Sequence, residues 1–141
     1  MLFREVIGQN EIIQRLINTV EENRISHAQM FLGPEGTGNM ALALAYSQYI
    51  NCQHRVELNE EEYGFNSDSC GECASCKKIQ NLSHPDLHFI FPLPAELRKA
   101  KKDKNAGELI YKPWRELIKE NEGYFGLNEL HSKYNLKGKQ T

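Results

Sequence analysis

Apolar residues Ile12, Ile13, Leu16, Ile17 and Val20 recur at helical spacing, while Arg15, Asn18, Glu21 and Glu22 lie mostly off their stripe. The pattern predicts an amphipathic helix after an extended entry Leu2 to Asn10, with Asn10 as its cap and Glu11 in its first turn. Residues Asn23 to Ser26 then read as a loop, and His27 to Leu32 as a short apolar strand. Met40 to Ile50 is rich in Ala and Leu and predicts a buried or half-buried helix. Further on, Lys77 to Leu82 predicts a short helix stopped before Pro85, and Leu87 to Phe91 a second strand. Trp114, Leu117 and Ile118 mark a helix over Tyr111 to Glu120, with Pro113 near its start. After the break at Glu122 to Gly126, a last helix is expected around Leu127 to Asn135, followed by a loose tail from Lys137 to Thr141.

Between the first strand and the Ala-rich helix lies Gly33-Pro34-Glu35-Gly36-Thr37-Gly38-Asn39-Met40. A working phosphate loop reads G-x-x-x-x-G-K-[ST]: backbone N–H groups cradle phosphates, Lys reaches the β/γ-phosphates, and a hydroxyl holds Mg²⁺. Gly33 and Gly38 keep the frame, but Asn39 stands at the Lys position and Met40 at the hydroxyl position. Asn39 removes the cation, and Met40 offers a thioether to an ion that takes oxygen. Treated as one partner deleted from a buried charge pair, the missing Lys costs about 3–5 kcal/mol. That turns a micromolar ATP site into a roughly millimolar one, so ATP is not expected as a ligand. The competing reading is an ordinary Gly-rich turn at a helix start, where exposed N–H groups attract anions without any Lys.

The 141 residues are enough for one domain with a real core. A net charge of -2 argues against an overall basic nucleic-acid binder. With neither a signal pattern nor an apolar stretch of membrane-span length, a cytoplasmic location and no membrane partner are expected. In such a reducing compartment the four cysteines point to thiols or metal rather than disulfides. Cys52 falls at the end of the post-loop helix, and Cys70, Cys73 and Cys76 form C-x₂-C-x₂-C among turn residues. Four thiolates suit tetrahedral zinc; an iron–sulfur cluster and unmetallated thiols are the alternatives. His54 and His84 are not needed as ligands.

The runs Val6-Ile7-Gly8-Gln9, Ser26-His27-Ala28 and Phe31-Leu32-Gly33-Pro34-Glu35-Gly36-Thr37-Gly38, and the later His84-Pro85-Asp86, resemble bacterial DNA polymerase III clamp-loader subunits of the AAA+ class. These include the gamma/tau and delta-prime proteins. The resemblance implies an α/β fold: the N-terminal part of an AAA+ P-loop domain over 1–141. It also implies a four-cysteine zinc module inserted over 52–76, here with a longer first gap. The departures at Asn39 and Met40 imply a delta-prime-type structural and assembly subunit without intrinsic ATPase. Such a subunit helps load the sliding clamp onto primed DNA, with gamma/tau and delta subunits as partners and the clamp and DNA as indirect ones. An ATP-hydrolysing gamma/tau-type subunit and a stand-alone zinc-stabilised nucleic-acid-binding module are the alternatives.

His84-Pro85-Asp86 could be mistaken for a catalytic pair, but a helix-to-strand turn accounts for it. Arg98, Lys99, Lys101, Lys102 and Lys104, within a charged loop over 92–110, could touch a nucleic-acid backbone; interspersed Glu96, Asp103 and Glu108 favour a solvated loop. No acidic Walker B strand end and no Ser-Arg-Cys segment occurs before Thr141, so the chain is expected to be the first part of a longer protein with an incomplete sheet. Its two strands are then expected to pair directly, to dimerise or to stay partly disordered.

Overall fold

The computed structural model describes residues 1–91, Leu97 and 107–134. The expected cationic run Arg98 to Lys104 and the tail Lys137 to Thr141 lie outside these residues. In chain order come a 3₁₀ turn Phe3–Glu5, α1 Asn10–Glu21, α2 Asn39–Asn51, β1 Val56–Glu57, α3 Glu60–Tyr63, β2 Ser67–Asp68 and α4 Ala74–Gln80. A π-helical turn Gly107–Tyr111 then leads into α5 Lys112–Glu120, and α6 Leu127–Lys133 closes the order.

Helix α2 is the axis of the fold. Its sequence is apolar nearly all round, which suits a helix surrounded by protein, and it buries Ala41, Leu42, Leu44, Ala45, Tyr46, Gln48 and Tyr49. One side joins Phe3, Ile13, Ile17 and Phe65 in a cluster with Leu42, Tyr46 and Tyr49. The other carries Leu44 into a second cluster with Leu82, Trp114, Leu117, Ile118 and Leu130. Helix α1 supplies Ile13, Leu16, Ile17 and Val20 as its stripe predicts, but Ile12 is 42% exposed and lies outside it. The cap also shifts: Asn10 is the first helical residue, and Gln9 precedes it in the left-handed region at φ 66°.

The expected strands are the main correction. Neither His27 to Leu32 nor Leu87 to Phe91 is a strand, and the two are not paired with each other. Among the described residues, 25–32 and 88–91 make no backbone–backbone hydrogen bond. A strand exists only through a ladder to a neighbour, and neither segment has one. The 87–91 stretch nevertheless keeps a two-residue rhythm: Leu87, Phe89 and Phe91 are half-buried, while His88 and Ile90 face out. Phe91 stacks on Trp114 with ring centroids 4.0 Å apart.

The sheet among the described residues lies elsewhere, inside the long gap between Cys52 and Cys70. Val56 pairs with Asp68 and Glu57 with Ser67, antiparallel, and α3 caps the hairpin with Asn59, whose side chain accepts from the Glu61 amide. The mixed helical architecture with this small sheet is consistent with a partial AAA+ domain.

Candidate functional site

The hairpin delivers three of the four cysteines. Asp68, fully buried in β2, accepts amide hydrogen bonds from Phe3 at 3.0 Å, Arg4 at 3.2 Å and Ser69 at 2.7 Å. From α2, Gln48 Nε2 donates to Ser69 Oγ at 3.1 Å and Tyr49 Oη donates to Ser67 Oγ at 2.9 Å. These bonds fix the strand end that leads into Cys70. Gly71 then turns the chain at φ 77°, a left-handed conformation that glycine adopts without penalty, and Cys73 caps α4. Cys52, the C-cap of α2, supplies the fourth thiol.

All four sulfurs lie within 4.8 Å of one another. Cys52 Sγ is 3.7 Å from Cys70 Sγ, and Cys70 Sγ is 3.9 Å from Cys76 Sγ. A tetrahedron with metal–sulfur bonds of about 2.3 Å has edges of about 3.8 Å, so the thiols are spaced for a single ion. They are free thiols, and those two separations far exceed a disulfide bond of about 2.05 Å. Three amides point at the sulfurs: Cys70 N–H at Cys52, Cys73 N–H at Cys70, and Cys76 N–H at Cys73, at 3.3, 3.4 and 3.4 Å. Such donors spread thiolate charge into the backbone. Burial pushes the Cys52 and Cys76 thiols up. At Cys73 burial opposes ionisation, but amide donors and neighbouring thiols outweigh it and bring the group to about 6. Cys52, Cys70, Cys73 and Cys76 can therefore hold a metal, with deprotonation supplied by the ion itself.

The glycine loop runs from Leu32 into α2, with Gly36 at φ 86° and Gly38 at φ 80°. Thr37 and Asn39 make contacts within the loop. Thr37 Oγ1 lies 2.7 Å from Pro34 O, to which it donates, and 3.1 Å from Asn39 Oδ1. Asn39 Nδ2 reaches back to Gly33 O at 3.4 Å. The side chain at the Lys position thus turns onto its own loop. A hollow of about 490 Å³ opens above it, walled by residues including Gln29, Phe31, Met40, Ala43 and Phe125, with no Lys or Arg lining it among the described residues.

His84-Pro85-Asp86 forms a turn in which the Leu87 amide bonds His84 O and the Asp86 amide bonds His84 Nδ1. His84 Nε2 lies 2.9 Å from Ser75 Oγ, tying the turn to α4. Sequence reading missed Asp68, an isolated acid in a turn-rich stretch, and Tyr124, which reaches the glycine loop from far along the chain. The glycines beside Tyr124, Gly123 and Gly126, were the available signal, and they read only as a helix break.

No helix among the described residues is long and apolar enough to cross a membrane. Among curated proteins, the chain is 35% identical to the DNA polymerase III subunit tau/gamma of Haemophilus influenzae over 85 residues, 60% of this chain and 11% of that protein. It is 34% identical to the DNA polymerase III subunit delta' of Bacillus subtilis over 92 residues, 65% of this chain and 25% of that protein. It is also 36% identical to Protein STICHEL of Arabidopsis thaliana over 87 residues, 62% of this chain and 6% of that protein. The matched stretch thus spans a quarter or less of these relatives. No solved structure matches the chain. The family model described as DNA polymerase III, delta subunit, matches residues 8–122, most of the chain, and the chain belongs to that family of clamp-loader-type subunits.

Proposed function

We propose that this chain is part of a delta-prime-type clamp-loader subunit, a structural and assembly component that helps load the sliding clamp onto primed DNA without hydrolysing ATP itself. The observation that carries this reading is Asn39, which stands where the phosphate-binding Lys belongs and turns its amide onto Gly33 O within the loop. Gly33, Pro34, Glu35, Gly36, Thr37, Gly38, Asn39 and Met40 are then a relic loop with no metal-holding hydroxyl at Met40. Identity alone does not choose between subunit types, since the tau/gamma and delta' relatives match at 35% and 34%. The loop chemistry at Asn39 and Met40 supports the delta-prime reading.

Zinc is the metal this donor set suits: four thiolates and no open position make a structural, closed site. Cys52, Cys70, Cys73 and Cys76 would hold it, and zinc would supply a cross-link between the end of α2 and the hairpin. The chain's own contribution is positioning, by Asp68 and the backbone amides that hold the knuckle. The proposed partners are gamma/tau and delta subunits, with clamp and primed DNA engaged through the assembly.

The test is reconstitution. The zinc-loaded chain is mixed with purified gamma/tau and delta subunits, and complexes are resolved by size-exclusion chromatography. Co-elution with gamma/tau, with ATPase activity lost when gamma/tau is omitted, supports the assembly role. ATP turnover by this chain alone would refute it.

A further inference from the structure

Tyr124 fastens the glycine loop to segments far apart in the sequence. Its Oη accepts a hydrogen bond from the Ile7 amide at 2.7 Å. Its ring lies so close over Gly38 that a Cβ there would come within 2.6 Å of Cε1. Three residues on, the Leu127 amide donates to Glu35 Oε1 at 3.1 Å, joining positions 92 residues apart. Gly123, at φ 79°, lets this stretch lie flush on the first turn of α2, where a Cβ would sit 2.9 Å from both Ala41 N and Cα. From the entry side, Gln9 Nε2 donates to Thr37 O at 3.3 Å.

In a nucleotide-binding loop the phosphates collect the glycine-rich backbone around themselves. Among the described residues no cation lines the hollow, Glu35 contributes a carboxylate to its wall, and the loop's contacts come from the chain itself. We propose that residues 123–127 form a clasp, fastened by Tyr124 and Glu35, that sets the loop's shape without nucleotide and couples it to the entry segment at Ile7. The clasp deepens the reading of the loop as nucleotide-free and rests on it. Its release loosens three segments at once, whereas purely local contacts would loosen only the segment altered.

Amide hydrogen exchange on the zinc-loaded chain separates these cases, comparing the unaltered protein with Tyr124→Ala, Glu35→Ala and Tyr124→Phe. Tyr124→Ala and Glu35→Ala are each expected to speed exchange about ten-fold or more across 6–9, 33–40 and 123–128 together, leaving 67–76 unchanged. Tyr124→Phe keeps the ring over Gly38 and loses the Ile7 bond, so it should speed 6–9 alone. Faster exchange confined to 123–128, or a loop that already exchanges at unstructured rates in the unaltered protein, overturns the clasp. Should Tyr124→Ala also release α1, a sign of global unfolding, Glu35→Ala and Tyr124→Phe decide the matter, because neither opens a large cavity. Adding millimolar Mg-ATP to the unaltered protein tests the underlying reading separately. Slowed exchange over 33–40 would overturn the nucleotide-free loop and leave the clasp standing, whereas unchanged exchange in the clasp variants overturns the clasp alone.

Discussion

Replacing Asp68 by Ala should destabilise the zinc-loaded chain by about 3–5 kcal/mol, the cost of leaving a buried charge's partners uncompensated. Three amides lose their acceptor, those of Phe3, Arg4 and Ser69, and Phe3 and Ser69 are fully buried. Each buried N–H left unpaired costs about 1–3 kcal/mol, so the two together cost about 2–6 kcal/mol, a range that contains the first figure. The Arg4 guanidinium, 4.0 Å from Oδ2 and partly exposed, adds little. For a chain of this size the loss corresponds to a fall in Tm of about 6–20 °C. Asp68→Asn keeps one oxygen for Phe3 and Ser69 and should cost about 1–2 kcal/mol. The two variants also separate by pH. Burial raises the Asp68 carboxyl above the usual carboxylate range, against the opposing pull of the amides and Arg4. The folded state then holds this proton where the unfolded state has released it. The stability it contributes is complete below the unfolded pKa of about 3.9 and is lost as pH rises through the folded value. Asp68→Asn should flatten that part of the profile. Urea unfolding of the three proteins across pH 3 to 8 is the assay. A loss below about 1 kcal/mol for Asp68→Ala would refute the claim that this carboxylate anchors the hairpin to the amino terminus.

Other perturbations read other joints. Cys76→Ser, or a strong chelator, should reduce bound zinc from about one ion per chain to none, measured by mass spectrometry of the metal, and should speed amide exchange over 67–76. Because two of the thiols are pushed up by burial, zinc uptake should release protons and weaken as pH falls, visible as a buffer-dependent heat in calorimetry. Gly123→Ala adds a Cβ 2.9 Å from Ala41 backbone at φ 79° and should cost about 1–3 kcal/mol, read from the urea midpoint.

The longer helices were legible because each carries its own signal, whereas the four-residue α3 was not expected and α4 spans Ala74–Gln80 rather than Lys77 to Leu82. The stripe Ile13, Leu16, Ile17 and Val20 needs no distant information to place α1, and the all-round apolar run of α2 announces its burial. Cysteine spacing likewise anticipated the cluster, since C-x₂-C-x₂-C leaves a short knuckle few ways to arrange its thiols. Strands are different. The apolar run His27 to Leu32 has strand composition, but pairing depends on a neighbour, and without one Met30 and Leu32 stand 84% and 88% exposed. The hairpin was missed for the opposite reason: Val56–Glu57 and Ser67–Asp68 are two residues each, too short and too polar for period-two patterning to register. Their pairing is enforced by Asp68 and by Tyr49 and Gln48 of α2, contacts between residues 18 to 65 apart in sequence that no local pattern reveals. The role of Tyr124 is hidden in the same way, 117 residues from the amide it meets.

The central claim, that this glycine frame has lost its nucleotide chemistry, is tested most directly by calorimetric titration of the zinc-loaded chain with Mg-ATP, beside the double variant Asn39→Lys/Met40→Thr. The unaltered chain should show no binding at millimolar ATP, and the variant should gain about two decades or more, the size of the missing Lys contribution. Micromolar binding by the unaltered chain would contradict it, and would make the loop a working site that holds phosphate without Lys.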